Sequence, residues 1–201
     1  ERLARALDLV RDGRLEEAAR VYRGLLADHP DHPRALAGLG HVLRSLGELE
    51  PAIEALGAAA RIEPGVAEVH LALGRALADA GRFDEAEEHL RAAQRAAPGD
   101  VEVRAALGIL AFRRGLYEQA EAALGAVCAR DPSHAAAHLY RGEALNRLGR
   151  VDEALDVLLR AVDLDPANAR AYQTMGMLYD KKGLPEQAAE MYRRARERSR
   201  S

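Results

Sequence analysis

The chain has 201 residues and an almost balanced charge, with 29 Lys and Arg residues against 32 Asp and Glu residues. Because the two signs are interspersed, the net charge of −3 excludes the single-sign field that drives binding to nucleic acid or to an anionic membrane. Aromatic residues make up only 4% of the chain and Trp is absent, so the core has to be packed from small side chains, above all Ala.

Targeting signals are missing from this sequence. It contains neither a long apolar run nor a basic start followed by an apolar segment, so no membrane insertion and no signal peptide are predicted. These absences favour the cytoplasm. Cys128 is the only cysteine, which excludes an internal disulfide and gives no evidence for an oxidising compartment. The chain begins at Glu1 and part-way into its first helix, so we expect a truncated N-terminus. The preference for Arg over Lys, with abundant Ala and Gly, favours a bacterial source.

Six copies of a 34-residue repeat follow one another without insertion or deletion. Two segments 68 residues apart show it best, GRFDEAEEHL from Gly81 and GRVDEALDVL from Gly149. The repeating positions are Gly13, Gly47, Gly81, Gly115, Gly149 and Gly183; Ala18, Ala52, Ala86, Ala120, Ala154 and Ala188; Ala6, Gly40, Gly74, Gly108, Gly142 and Gly176; and Pro30, Pro64, Pro98, Pro132 and Pro166, with Arg200 breaking the last series. Self-similarity at a fixed period is the signature of a repeat architecture.

In chain order, each repeat predicts a helix, a tight turn, a second helix and a short loop. Apolar residues between Ala35 and Leu46 recur at helical spacing, and Gly47 ends this helix because glycine adopts the left-handed cap without strain. The second helix starts a few residues later, with carboxylates such as Asp84 and Glu85 at the positive end of its dipole. It ends before the proline, whose ring disfavours helical geometry in the preceding residue.

Small residues predict where the two helices of a repeat cross. Gly74 on the first helix and Ala86 on the second remove side-chain bulk, so we expect the axes to approach toward the short end of the usual range of ~8–10 Å. Larger residues, such as Leu73, Leu77 and Leu90, fill the space around the crossing.

This pattern resembles the tetratricopeptide repeat family over the whole chain. The family's L-G-x-x-Y segment matches Leu39-Gly40 with Leu43, Leu73-Gly74 with Leu77, Leu107-Gly108 with Ala111 and Met175-Gly176 with Tyr179, and its A-x-x-x-F segment matches Ala18 with Tyr22, Ala86 with Leu90 and Ala188 with Tyr192. The resemblance implies an all-α fold, a right-handed alpha-alpha superhelix (α-solenoid) of six helix-turn-helix repeats. We expect one domain over 1–201, with repeats at 1–32, 33–66, 67–100, 101–134, 135–168 and 169–201. Arg141 replaces the usual Leu, and we expect its stem along the core and its head in water.

The resemblance also implies that the first helix of each repeat lines a concave groove. The predicted partner-binding residues are an apolar strip with flanking polar groups, namely Leu71, Ile109, Phe112, Leu139 and Tyr140, with Arg75, Arg113 and Arg147, and with Glu143 and Asn146. Aromatic and aliphatic clusters ringed by Arg are typical of hot spots, so we expect a protein or peptide ligand with apolar side chains and a carboxylate. The alternative is that Phe112 or Tyr140 packs between neighbouring first helices and the groove stays empty.

Candidate groups for chemistry are weak. His134 and His138 are four residues apart, but His134 follows Pro132 in a loop and no Cys or paired carboxylate completes a metal site. The glycines serve helix ends and crossings rather than a phosphate loop, and no serine occupies a strained turn, so neither a cofactor nor a catalytic nucleophile is predicted. The paired Lys and Asn of cochaperones that hold acidic chaperone tails are also absent, since the matching positions hold pairs such as Ala37 with His41.

These patterns favour a non-catalytic interaction scaffold over an enzyme. Two alternatives remain, a targeting or regulatory array of a multidomain enzyme such as a glycosyltransferase or protease, and self-association through the end repeats. The second alternative arises because no polar capping helix follows the last repeat. The terminal segment RRARERSRS, from Arg193, is either a contact for an acidic partner or a solvated helix end whose cations suit the negative dipole.

Overall fold

The computed structural model describes residues 1–199, and every regular element in that range is an α-helix. The twelve helices are α1 (Arg2–Arg11), α2 (Leu15–Asp28), α3 (Pro33–Ser45), α4 (Leu49–Ile62), α5 (Ala67–Asp79), α6 (Phe83–Ala96), α7 (Val101–Arg113), α8 (Tyr117–Arg130), α9 (Ala135–Arg147), α10 (Val151–Leu164), α11 (Ala169–Lys181) and α12 (Pro185–Arg198). Successive pairs form six helical hairpins, so the predicted all-α class and the helix-turn-helix repeats are confirmed. Arg200, where the proline series breaks, and Ser201, the last residue of the Arg-rich segment, lie outside the described residues.

Each hairpin turns on a glycine in the left-handed conformation. Gly81 has a φ of 78°, and the equivalent glycines have φ values between 68° and 80°. The amide of Gly81 donates to the carbonyl of Ala78 (3.1 Å), and the amide of Arg82 donates to the carbonyl of Leu77 (2.9 Å). This pair of hydrogen bonds satisfies the last carbonyls of the first helix and leads the chain directly into the second. The predicted glycine cap is therefore confirmed.

A second glycine in each of the last five repeats lies where the two helices cross. A Cβ added to Gly74 would lie 2.7 Å from Leu90 Cγ and 3.2 Å from the carbonyl oxygen of Ala86. Both contacts are shorter than normal van der Waals separations, so only glycine fits. The corresponding side chains that face the other crossing glycines are Leu56 at Gly40, Leu124 at Gly108, Leu158 at Gly142 and Tyr192 at Gly176. The predicted role of small residues at the crossing is confirmed.

An ion pair explains why the segment that begins with Gly-Arg returns in alternate repeats. The Arg after the turn glycine occupies the N-cap position of the second helix and donates two hydrogen bonds to a Glu three residues later. The pairs are Arg14–Glu17, Arg82–Glu85 and Arg150–Glu153, with bonds of 2.6–2.7 Å. These guanidinium groups lower the pKa of each partner carboxyl. Because the pairs are exposed, their contribution to stability is small.

The helices form two compact units, unit 1 over residues 1–106 and unit 2 over residues 107–201. In unit 1, α1 packs on α3 and α3 on α5, while α2 and α4 pack on the first helix of the next repeat. In unit 2, α9 packs on α11, α8 packs on α9, and α10 packs on α11. Neighbouring first helices are thus adjacent in each unit. We call their outward sides the first-helix face of unit 1 (α1, α3, α5) and of unit 2 (α7 from Leu107, α9, α11).

Each unit has an alanine-rich core, as the composition predicts. In unit 1 the largest fully buried side chains include Tyr22 and Leu43, packed among buried alanines such as Ala18 and Ala35. The core of unit 2 contains the large side chains Leu145, Leu158, Met175 and Leu178. None of the twelve helices within residues 1–199 has the length and apolarity needed to cross a membrane.

The Arg-rich segment forms the end of α12, up to Arg198. Only Ala188 and Ala195 of this helix are buried. Arg193 and Arg194 both pair with Glu190, and the guanidinium of Arg194 lies 6.0 Å above the ring of Tyr172. This arrangement agrees with the interpretation of the segment as a solvated helix end.

Candidate partner-binding faces

Three aromatic side chains lie together at the first-helix face of unit 2, two of them on first helices and the third, Tyr117, at the start of α8. The ring of Phe112, on α7, is 5.6 Å from the ring of Tyr117 and 5.5 Å from the ring of Tyr140 on α9. We call these residues the aromatic cluster. All three are half-buried, so each ring still presents part of its surface. Phe112 and Tyr140 therefore bridge neighbouring first helices, as the alternative interpretation expects, without becoming part of the interior.

Arg170 of α11 completes this cluster. Its guanidinium carbon is 5.0 Å from the centre of the Tyr140 ring, a distance at which a cation is attracted to the ring face. Nε and Nη2 of the same group donate hydrogen bonds of 2.6 and 2.5 Å to the two carboxylate oxygens of Glu143. One guanidinium thus ties an aromatic ring to a carboxylate across α9 and α11.

Glu143 is a buried residue, although it was predicted to contact a partner. It is 6% exposed, and this burial raises the pKa of its carboxyl while the hydrogen bonds from Arg170 act in the opposite direction. A buried carboxylate is stable only when it is paired. Glu143 therefore orients Arg170 and has little surface left for a ligand.

Two of the predicted apolar anchors are core residues. Leu71 is 8% exposed and Leu139 is 7% exposed, and Leu139 packs in the core of unit 2. Ile109 is half-buried, like the aromatic cluster. A more exposed apolar side chain occurs at Met177 on α11, which is 42% exposed. Of the predicted apolar strip, Ile109, Phe112 and Tyr140 thus keep accessible surface, whereas Leu71 and Leu139 do not.

The predicted polar groups are divided between internal contacts and solvent. Arg75 donates a 2.5 Å hydrogen bond to Glu102 within unit 1, and Asn146 accepts a 2.7 Å hydrogen bond from Lys181 Nζ within unit 2. Arg113 is half-buried, whereas Arg147 is exposed. Arg147 is therefore the most accessible of the three arginines that were predicted to flank the strip.

The prediction that the head of Arg141 lies in water is wrong. Its Nε and Nη2 donate hydrogen bonds of 3.1 and 2.9 Å to Glu121 of α8, and the two side chains are only 28% and 17% exposed. Gly125, one turn further along α8, makes the room, since a Cβ there would lie 3.3 Å from Arg141 Nε. A Glu and a Gly four residues apart on α8 are the sequence signal that could have revealed this pair.

Unit 1 has an apolar pocket between α1 and α3 that the sequence did not reveal. Its volume is about 230 Å³, and it is lined by Leu7, Val10, Leu15, Tyr22, Gly38, His41, Val42 and Ser45. Leu7 is 56% exposed and Val10 is 36% exposed, so the mouth of this pocket is itself apolar. We call it the unit 1 pocket.

The two histidines considered for a metal site serve the fold. His134 Nδ1 accepts a hydrogen bond from the amide of Ala137 (3.1 Å) at the start of α9, and His138 Nε2 lies 3.2 Å from the carbonyl oxygen of Pro132. Within residues 1–199, no three His, Cys, Asp or Glu side chains come together in an arrangement that could hold a metal ion.

Comparison with known proteins agrees with this architecture. The family model described as Cilia and flagella-associated protein 70 C-terminal domain matches residues 2–201. A search of curated protein sequences finds no match.

Three solved structures illustrate the similarity of fold. The APC/C hetero-tetramer Cut9-Hcn1 matches 100% of this chain at 23% identity and a TM-score of 0.91, and a tetratricopeptide repeat protein from Parabacteroides merdae matches 98% at 19% identity and 0.82. YrrB, a TPR protein described as having an unusual peptide-binding site, matches 90% at 22% identity and a TM-score of 0.61. The matches cover 40%, 77% and 93% of those three chains, so this chain spans less than half of the first one. At these identities the likeness shows the fold alone.

Proposed function

We propose, since the chain belongs to the tetratricopeptide repeat proteins and matches the model of the Cilia and flagella-associated protein 70 C-terminal domain over residues 2–201, that it is a non-catalytic scaffold which binds a partner peptide or protein segment. The observation that carries this proposal is the aromatic cluster with Arg170 stacked on Tyr140. Tyr and Arg are enriched among the residues that dominate binding energy, and three half-buried rings can bury further area against a ligand without first becoming ordered.

The charges around the cluster support a ligand that carries a carboxylate. Arg147 and Lys181 are exposed on α9 and α11, and Arg170 holds a third positive charge close by. Glu143 is buried beneath Arg170, and the carboxylate of Asp180 already accepts a 2.7 Å hydrogen bond from Tyr192. On α9 and α11, three exposed cations therefore outnumber one exposed carboxylate, Asp180. An acidic residue beside an apolar one matches it better than a neutral or basic segment does.

The test is a peptide selection followed by affinity measurement. A random peptide library is selected on the intact chain, and the enriched peptides are titrated against the wild type and a Phe112→Ala, Tyr140→Ala double variant. We expect enrichment of apolar residues next to Asp or Glu. The double variant should lose at least about 30-fold in affinity, which corresponds to one strong hot spot of ~2 kcal/mol.

Leu159→Ala is the matched control, because Leu159 is a large apolar residue of unit 2 that is 45% exposed but lies on a second helix, α10. It should bind the same peptides with unchanged affinity. Circular dichroism verifies that all variants keep their helix content. Equal affinity of the double variant and the wild type would refute this binding face. The alternatives of an array within a multidomain enzyme and of self-association stay predictions, as do the bacterial source and the cytoplasmic location.

A further inference from the structure

We propose that the unit 1 pocket takes a single tyrosine side chain of the partner peptide. This inference rests on the proposed function, since it assigns a residue type to a ligand that the scaffold is proposed to bind. It concerns a site separate from the aromatic cluster, because every residue that lines the pocket belongs to α1, α2 or α3 of unit 1.

The size of the pocket fits one aromatic ring. An apolar cavity of about 150 Å³ in a protein interior is enough to hold benzene. The unit 1 pocket has about 230 Å³, which leaves room for a ring with one substituent. It is smaller than the pockets that bind drug-sized ligands, which begin at roughly 300 Å³. The walls formed by Leu7, Val10, Leu15 and Val42 provide apolar contact on several sides of such a ring.

A hydroxyl group on the pocket wall selects the substituent. Tyr22 is only 1% exposed as a whole, but it lines the pocket, and its hydroxyl is not among the buried polar atoms of residues 1–199 that lack a hydrogen-bond partner. Burial raises the pKa of this phenol, so it carries its proton at neutral pH and can donate. The mouth of the pocket gives water access to this hydroxyl, and a ligand oxygen that accepts from it takes the place of that water. A tyrosine oxygen can accept this hydrogen bond, whereas a phenylalanine ring cannot.

Gly38 is the residue that gives Tyr22 access to this pocket. A Cβ at Gly38 would lie 2.5 Å from Tyr22 Cζ and 2.6 Å from its hydroxyl oxygen, so the ring reaches the face only because α3 has no side chain there. The equivalent positions of later repeats hold Ala72, Ala106, Tyr140 and Thr174. The crossing side chain that corresponds to Tyr22 is Leu in the next four repeats, so no hydroxyl is offered there.

The occupant comes from a different protein rather than from a second copy of this chain. The other five tyrosines are buried or half-buried, namely Tyr117, Tyr140, Tyr172, Tyr179 and Tyr192. The large hydrophobic residues that are exposed within residues 1–199 are all aliphatic. A second copy therefore has no exposed phenol to insert.

Nuclear magnetic resonance titration with p-cresol and toluene tests the pocket directly, because these molecules are the side chains of Tyr and Phe without a peptide. In the ¹⁵N-labelled chain we expect p-cresol to shift the amide signals of Gly38, Val42 and Ser45. Its affinity should be about fivefold higher than that of toluene, as one net hydrogen bond predicts. Tyr22→Phe should remove this difference and leave the toluene affinity unchanged.

Leu7→Ala should weaken both ligands several-fold, since it removes a wall of the pocket. Met177→Ala, the equivalent position of the sixth repeat, should change neither affinity. Equal affinity of the wild type for p-cresol and toluene, or shifts that do not centre on Gly38, would overturn the assignment. Dimerisation that raises the mass with concentration and is lost in Leu7→Ala would overturn the choice of occupant. Failure of the peptide selection would instead count against the proposed function, since the p-cresol titration requires no peptide.

Discussion

The guanidinium of Arg170 and the carboxylate of Glu143 join α11 to α9 by two hydrogen bonds of 2.6 and 2.5 Å. Two repeats earlier, the same positions hold Glu102 and Arg75, which are joined by a 2.5 Å hydrogen bond between α7 and α5 in unit 1. The two pairs occupy equivalent places with the charges in the opposite order. This contact between neighbouring first helices can therefore be made with the two charges in either order, although it does not require charge, since the equivalent positions of the fourth and fifth repeats hold Ile109 and Ala136.

Removing Arg170 should destabilise unit 2 more than removing the charge of Glu143. The Glu143 side chain is 8% exposed and Arg170 is 51% exposed, so Arg170→Gln leaves a buried carboxylate unpaired, whereas Glu143→Gln leaves a cation that water can reach. We expect Arg170→Gln to lower the free energy of unfolding by about 1–3 kcal/mol, between the values typical of exposed and buried pairs. Urea denaturation at pH 7 measures both variants. Equal losses would contradict the assigned difference in burial.

The exchanged double variant Glu143→Arg, Arg170→Glu should recover part of the stability lost in Arg170→Gln, because Arg75 and Glu102 already show that the reversed order fits. Recovery should be incomplete for two reasons. The stacking of a cation on Tyr140 is lost, and the arginine placed at position 143 is repelled by Arg147, one helical turn away. Glu17→Gln, in an exposed pair, serves as the control and should cost less than about 1 kcal/mol. A double variant that is less stable than Arg170→Gln would show that charge order matters.

Two helical glycines should respond to alanine with opposite signs. Gly74→Ala places its methyl group 2.7 Å from Leu90 and should cost about 1–3 kcal/mol, as overpacking in a core does. Gly24→Ala, inside α2 with no atom within 4 Å of the added Cβ, should stabilise by about 0.5–1 kcal/mol. Thermal unfolding of the two variants beside the wild type decides the signs. Similar losses in both would mean that helix propensity does not act at Gly24 as expected.

The fold could be predicted because its determinants are local. Gly81 ends a helix by its own backbone conformation, and Gly74 acts through a partner in the same hairpin, Leu90, only 16 residues away. Both rules depend on the residue itself or on a neighbour that the repeat brings to the same place each time. The same two rules therefore apply in repeats whose other residues differ widely.

The binding faces were predicted less well because their contacts join residues of different repeats. Arg170 contacts Tyr140 and Glu143, which are 30 and 27 residues away in the sequence. The sequence does not indicate these partners, because the side-chain conformation of Arg170 determines them. Small rotations of a helix also decide exposure, so Leu139 is buried while the adjacent Tyr140 is half-exposed. The unit 1 pocket depends on the lack of a side chain at Gly38. The sequence shows this glycine but does not indicate that Tyr22 lies against it.

His138 connects pH to stability through one buried ring. The residue is 8% exposed, and because a carbonyl can only accept, its Nε2 carries the hydrogen that is donated to Pro132. Its Nδ1 is buried and has no hydrogen-bond partner among residues 1–199. Burial lowers the pKa of this imidazole, and the charges of Arg160, Arg141 and His134 lower it further, although the bond to Pro132 acts in the opposite direction. Protonation at Nδ1 would place an unpaired cation in the interior.

The sign of the pH dependence follows from this lowered pKa. As the pH falls, the unfolded chain takes up the proton at the ordinary pKa, near 6.5, before the folded chain does. The contribution of His138 to stability is therefore fully present above that pH and is lost as the pH falls below it. The thermal midpoint should therefore drop between about pH 7.5 and 5.5. His138→Leu, which copies Leu36 of the second repeat, should reduce this drop. His29→Gln, in an exposed loop, is the control and should leave the drop as large as in the wild type. If His138→Leu and the wild type lose the same number of degrees, the pH dependence arises from other groups, with His41 and His89 the next to test because burial lowers the pKa of both.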